Sequence, residues 1–137
     1  MMYTVIDTNV LVSALLSSTE DAATVQIVQK LLLGDIIPVY SEEIFAEYRE
    51  VLQRKKFKFP ADDQKYLLSA IQKYGKYVIP VPSGLSLPDA KDLPFYEAAI
   101  MEKAWYLVTG NQKHFPKEPF IVTPRELLNR LTNRKSA

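Results

Sequence analysis

The sequence predicts an α/β fold in which a parallel sheet is covered on both faces by helices. Three observations carry that expectation. Short apolar, β-rich runs alternate along the chain with segments of helical periodicity. Parallel strands need crossovers that pack back onto the sheet, nearly always right-handed ones. Acidic and amide residues also recur just past the strand ends, the edge where open α/β sheets hold their chemistry.

In chain order, Tyr3 to Ile6 reads as a buried strand, and Asn9 to Leu16 begins a helix with Thr8 and Asn9 as its caps. A second helix, Ala22 to Leu33, brings Val25, Val28, Leu31 and Leu32 to helical spacing, and Gly34 ends it. The run "IIPVY" at 36–40 is the second strand, followed by Ser41 as N-cap and a helix from Glu42 to Arg54 with acids in its first turn. Ala61 to Tyr74 is the next helix, stopped by Gly75, and "YVIPV" at 77–81 is the third strand. The loop "PSGLSLPDAKDLP" leads into a helix from Leu93 to Ala104 with Pro94 in its first turn. Strands "WYLVT" at 105–109 and "FIVT" at 120–123 follow, and "PRELLNRLTNR" closes the chain as a helix.

The 137 residues, 47% hydrophobic and 24% charged, read as one globular domain over 1–137 without repeats or low-complexity segments. The absence of cysteine removes thiol nucleophiles, zinc–thiolate sites and disulfides together. The apolar N-terminal run has no basic region before it and carries Asp7 inside it, a poor signal peptide, and no run is apolar enough to span a bilayer. The cytoplasm is the expected location. A net charge of +1 neither demands nor excludes a nucleic acid partner. The cluster "QRKKFKF" does suggest one: Arg54, Lys55, Lys56 and Lys58 offer phosphate contacts, with Phe57 or Phe59 as a stacking surface.

A carboxylate inside "YTVIDTNVLVSALL" needs compensation, because a charge beside a core costs several kcal/mol unless it is paired, capped or metal-bound. The strand order of the chain supplies candidates. Asp7 follows the first strand, the helix holding Glu47 follows the second, Asp89 and Asp92 follow the third, and Asn111 follows the fourth. Periodicity at about 100° per residue places Glu47 beside the stripe of Ile44, Phe45, Tyr48, Val51 and Leu52, with Glu43 and Glu50 turned outward. Asp92 falls on the face of Phe95 and Ala99. Carboxylates converging without neighbouring cations favour a hard divalent ion, and oxygen donors favour Mg²⁺ or Mn²⁺ over zinc. Such a site hydrolyses phosphodiesters.

Each residue alone has a plainer reading. Asp7 would cap a helix, Asp92 would favour a helix dipole, Glu47 would be a solvated helical acid and Asn111 a turn residue. Their joint placement reverses those readings. A haloacid-dehalogenase-type phosphatase also starts from an aspartate after a strand, but it wants a second acid where this chain has Asn9.

The segments "VIDTNVLVSALL", "YSEEIFAEYREVLQR", "LPDAKDLPFYEAA" and "WYLVTGNQKHFP" resemble the successive motifs of PIN-domain ribonucleases, in the branch described as toxin components of bacterial toxin–antitoxin systems. The resemblance implies a three-layer α/β/α domain with a five-stranded parallel sheet and RNA cleavage assisted by Mg²⁺ or Mn²⁺. It implies metal-binding roles for Asp7, Glu47 and Asp92, with Asp89 accessory, and a homodimer blocked by a small antitoxin. Many relatives carry an aspartate where this chain has Asn111, whose amide oxygen can coordinate a cation or a ligated water but adds no charge. Asn9 and Lys113 are further expected substrate contacts, and His114 is expected in a surface loop. The alternative is a PIN-like RNA-binding or scaffold protein with weak or no nuclease activity.

Overall fold

Tyr3–Ile6 forms the central strand because every side chain after Tyr3 in it is buried, Thr4 included, as suits a strand covered on both faces. The computed structural model describes residues 2–136, with side chains described through 132. The strands are β1 (Tyr3–Ile6), β2 (Ile37–Tyr40), β3 (Lys76–Tyr77), β4 (Tyr106–Val108) and β5 (Ile121–Val122). They form one parallel sheet in the order β3-β2-β1-β4-β5. The helices are α1 (Thr8–Leu16), α2 (Ala23–Leu33), α3 (Glu42–Leu52), α4 (Ala61–Tyr74), α5 (Leu93–Glu102) and α6 (Pro124–Ser136).

The chain steps outward from β1 to β2 to β3, then returns past β1 to β4 and β5. Right-handed connections therefore place the return helix, α5, on the opposite face from α1 and α2. Contacts agree: α5 packs on β1, β2 and β4, whereas α2 packs on α1 and α6. The result is the three-layer α/β/α architecture. The direction of the connections reverses between β1 and β4, so a crevice opens beyond their carboxyl ends. Asp7 directly follows one of these strands and Thr109 the other.

Local chemistry sets the element ends. Gly34 adopts φ +86° and closes α2 in the left-handed region, as expected. Gly75 needs a hydrogen side chain for another reason: a Cβ would lie 2.4 Å from the Ile71 carbonyl oxygen and 2.6 Å from that of Pro38. Ser41 caps α3, its Oγ accepting from the Ile44 amide at 3.2 Å. Ser41→Ala is expected to cost about 1 kcal/mol of unfolding free energy, read as a lower urea midpoint at unchanged slope.

Several boundaries differ from the sequence reading. The third strand is Lys76–Tyr77 rather than 77–81, extended by a Val78 amide bond to the Tyr40 carbonyl. Pro80 and Pro82 have no amide hydrogen for a ladder, and Ile79 and Val81 stand exposed. Helix α1 begins at Thr8, with Asp7 at the N-cap position but making no side-chain capping bond; Thr8 and Asn9 lie within the helix and cap nothing. Helix α3 stops at Leu52, before Arg54, and α5 stops at Glu102, where Lys103 turns left-handed at φ +52°.

Candidate active site

The strand-then-helix turn at Asp7 buries its carboxyl group at 5% exposure, at the mouth of the crevice between β1 and β4. Both strands supply its polar support. Thr109, fully buried at the end of β4, donates to Asp7 Oδ2 at 2.7 Å, and Asn9 Nδ2 donates to the same oxygen at 3.2 Å. Asn9 Oδ1 in turn accepts from the Gly110 amide, and Thr109 Oγ1 accepts from the Asn111 amide. A polar clasp thus ties β1 to β4 and leaves Asp7 Oδ1 outside it.

Burial pushes the Asp7 carboxyl up to about 6; the Thr109 hydrogen bond pulls it down, and the Asp92 charge raises it further. Glu47, half-buried on α3, is also raised, first by burial, with the Asp7 charge adding to it. The Thr8 hydroxyl donates to Glu47 Oε2 and offsets part of that rise. Asp92 is raised by burial and next by the charge of Asp89. Asp7, Glu47 and Asp92 therefore press on one another through space, and the charge of Asp89 adds to the pressure on Glu47 and Asp92. Next to Glu47 on α3, the Tyr48 hydroxyl donates to the Ile6 carbonyl, fixing the helix against the end of β1.

The sequence-derived residues divide into two groups. Asp7, Glu47, Asp89 and Asp92 come within electrostatic reach of one another at the carboxyl edge. Asn111 is exposed at the end of β4 and opens the 3-10 turn Gln112–His114. Asn9 spends both ends of its amide inside the clasp. Arg54 forms a two-pronged pair with Glu50, at 3.1 and 2.8 Å. Lys55, Lys56 and Lys58 are exposed, and Lys56 lies over the Phe57 ring, which stacks on Phe59 at 5.2 Å. Lys113 lines a separate cavity of about 320 Å³ with Phe115, Pro116 and Lys117.

Some contributors escaped the sequence reading. Thr109 lay at the end of an apolar run with nothing to mark its hydroxyl. His114, expected in a surface loop, brings Nδ1 to 3.2 Å from Asp92 Oδ2. Lys91 lowers Glu47 by its charge, and its position between Asp89 and Asp92 was the available signal.

The donors suit a divalent cation in two respects. All are oxygen atoms, the set that Mg²⁺ and Mn²⁺ accept. Asp92 Oδ2 is also buried, with the His114 imidazole beside it at 3.2 Å but no hydrogen bond of regular geometry, which leaves it able to accept a cation. No three Asp, Glu or His side chains among the described residues close on a single point. That is compatible with Mg²⁺, which keeps several waters and uses few protein ligands.

A family model for the PIN domain matches residues 3–113. The chain belongs to the PIN domain family. The match covers the ends of β1, β2 and β4 and all four clustered acids. No curated protein matches the chain at a significant level. PIN domains are generally nucleases that use divalent metals, so this PIN domain has a nuclease-type function and a nucleic acid partner. No helix among the described residues is long and apolar enough to cross a membrane.

Proposed function

We propose that this PIN domain is a Mg²⁺- or Mn²⁺-dependent ribonuclease that hydrolyses RNA phosphodiester bonds in the cytoplasm. We further propose that it is the toxin of a toxin–antitoxin pair, working as a homodimer and held in check by a small antitoxin protein. The observation that carries the nuclease reading is the gathering of Asp7, Glu47 and Asp92 at one strand edge, each raised first by burial and further by a neighbouring acid, around the buried Asp92 Oδ2. Acids forced together at a strand edge are poor for stability and suited to holding a cation. The toxin reading rests on the resemblance of the motifs.

Asp7 Oδ1, Glu47 and Asp92 would hold the cation, with Asp89 adding charge and Asn111 offering an amide oxygen. When bound, such an ion neutralises the phosphodiester and makes an attacking water more acidic. The chain's own part is orientation. Thr109 and Asn9 fix Asp7, Thr8 fixes Glu47, and His114 stands against Asp92. Hydrolysis forms one bond from water oxygen to phosphorus and breaks one phosphorus–oxygen bond to ribose, whose oxygen leaves as a hydroxyl with a proton from solvent. Glu47, raised by burial, is suited to accept the water's proton. The exposed Lys55, Lys56, Lys58 and Lys113 offer outlying phosphate contacts.

The test is cleavage of end-labelled RNA by the purified protein with Mn²⁺, with EDTA, and by Asp7→Asn with Mn²⁺. Cleavage only in the first is expected, and equal cleavage in all three would overturn the reading. Growth arrest on expression, relieved by the product of an adjacent gene, is the expected result for the toxin role.

A further inference from the structure

The 3-10 turn that delivers Asp92 also delivers a cation. Asp89 Oδ1 accepts from the Lys91 amide at 2.9 Å, pinning the turn Ala90–Asp92. Lys91 is exposed and, with Glu43, Glu47 and Pro94, lines an open cavity of about 300 Å³ beside the acidic edge. The ion pairs among the described residues are Arg54–Glu50, Lys76–Glu102 and His114–Asp92, so Lys91 has no carboxylate within 4.0 Å there. Its charge nonetheless reaches Glu47 and Glu50 and lowers both. Lys91 is therefore near the acids without being spent on one.

The other basic candidates are placed differently. Arg54 is engaged by Glu50, and Lys113 faces the cavity it shares with Phe115 and Lys117. A phosphodiester drawn to Asp7 and Asp92 enters a field of carboxylates. Each repels it, and more strongly than it would in bulk water. A mobile ammonium at the rim counters that repulsion as a point charge on a non-bridging oxygen.

We propose that Lys91 is a phosphate-positioning residue, and that the cavity it forms with Glu43, Glu47 and Pro94 receives the RNA backbone next to the bond to be cut. This rests on the ribonuclease reading. A lysine that was only a solvated surface charge would leave RNA affinity and its salt dependence unchanged.

The test compares the wild type, Lys91→Gln and Lys91→Arg by fluorescence anisotropy with a labelled short RNA, using Ca²⁺ as the divalent ion, over a range of KCl concentrations. Mn²⁺ affinity without RNA, read by electron paramagnetic resonance, and Mn²⁺-supported cleavage are measured on the same samples. Lys91→Gln is expected to weaken RNA binding about tenfold and to lower the slope of log affinity against log salt by about 0.7, one single-strand phosphate contact. Lys91→Arg is expected to restore binding to within about threefold. Mn²⁺ affinity is expected to hold or tighten, because a cation near Glu47 has been removed. An unchanged affinity and slope, or a loss of Mn²⁺ affinity in step with RNA affinity, would overturn the assignment. Wild-type binding without cleavage, with the Lys91→Gln defect present, would sink the ribonuclease reading alone. Cleavage with Lys91→Gln indistinguishable from wild type would sink the Lys91 assignment alone, and a wild type that does not bind RNA would sink both.

Discussion

Asp7→Asn is expected to make the metal-free protein more stable at pH 8 while abolishing RNA cleavage. The two side-chain donors to Asp7, Thr109 Oγ1 and Asn9 Nδ2, reach Oδ2, so an asparagine carbonyl oxygen at that place keeps both of these bonds and can also accept from the Thr8 amide. What the substitution removes is the buried charge. Burial raises the Asp7 pKa from 3.8 to about 6, and a raised carboxylate favours the fold only while protonated. The wild-type fold therefore loses stability as pH rises from about 4 through about 6, by up to about 3 kcal/mol at 1.36 kcal/mol per pH unit. Urea titrations in EDTA should show Asp7→Asn ahead by up to about 3 kcal/mol at pH 8 and level with the wild type near pH 4. Saturating Mn²⁺ should reverse the order at pH 8, since an ion at 1,000 times its Kd adds about 4.1 kcal/mol to the form that binds it. A variant less stable than the wild type at pH 8 in EDTA would mean that the Asp7 charge is compensated within the fold.

The same opposition of stability and site explains which features were legible in the sequence. The sheet and its helices were, because apolar periodicity and the stop at Gly34 act locally. The third strand was misplaced because "YVIPV" has the composition of a strand, while its prolines cannot donate to a ladder and the sheet ends there. Glu47 was legible because its place beside an apolar stripe follows from helical geometry alone. Asp7 and Asp92 were legible because acids beside core positions are costly and invite explanation.

The support of the site was not legible for a different reason. Thr8, Asn9 and Thr109 act through hydroxyl and amide hydrogen bonds between elements far apart in sequence, and Thr109 reaches Asp7 across 102 positions. Nothing local separates such a threonine from one chosen for β-propensity. Arg54 is the opposite case. Its pairing with Glu50 at i and i+4 could have been read from spacing, and that reading would have weakened its case as a phosphate contact.

Thr109→Val tests whether the clasp sets the working pH of the site. The substitution nearly keeps shape in a fully buried position but removes the donor to Asp7 Oδ2 and the acceptor of the Asn111 amide. The Thr109 hydrogen bond is the largest influence lowering the Asp7 pKa, so its loss should carry that pKa above about 6. If catalysis needs ionised Asp7, the acid limb of kcat/KM against pH moves to higher pH in the variant, by about one unit for a charge-assisted bond of roughly 1.5 kcal/mol. Above the new pKa part of the activity should return. Stability should fall as well, by about 2 kcal/mol at pH 8 and by less near pH 4, where a protonated Asp7 has less need of a donor. An acid limb that stays in place while activity drops equally at every pH would assign Thr109 to packing alone, with Asn9 sufficient to hold the carboxylate.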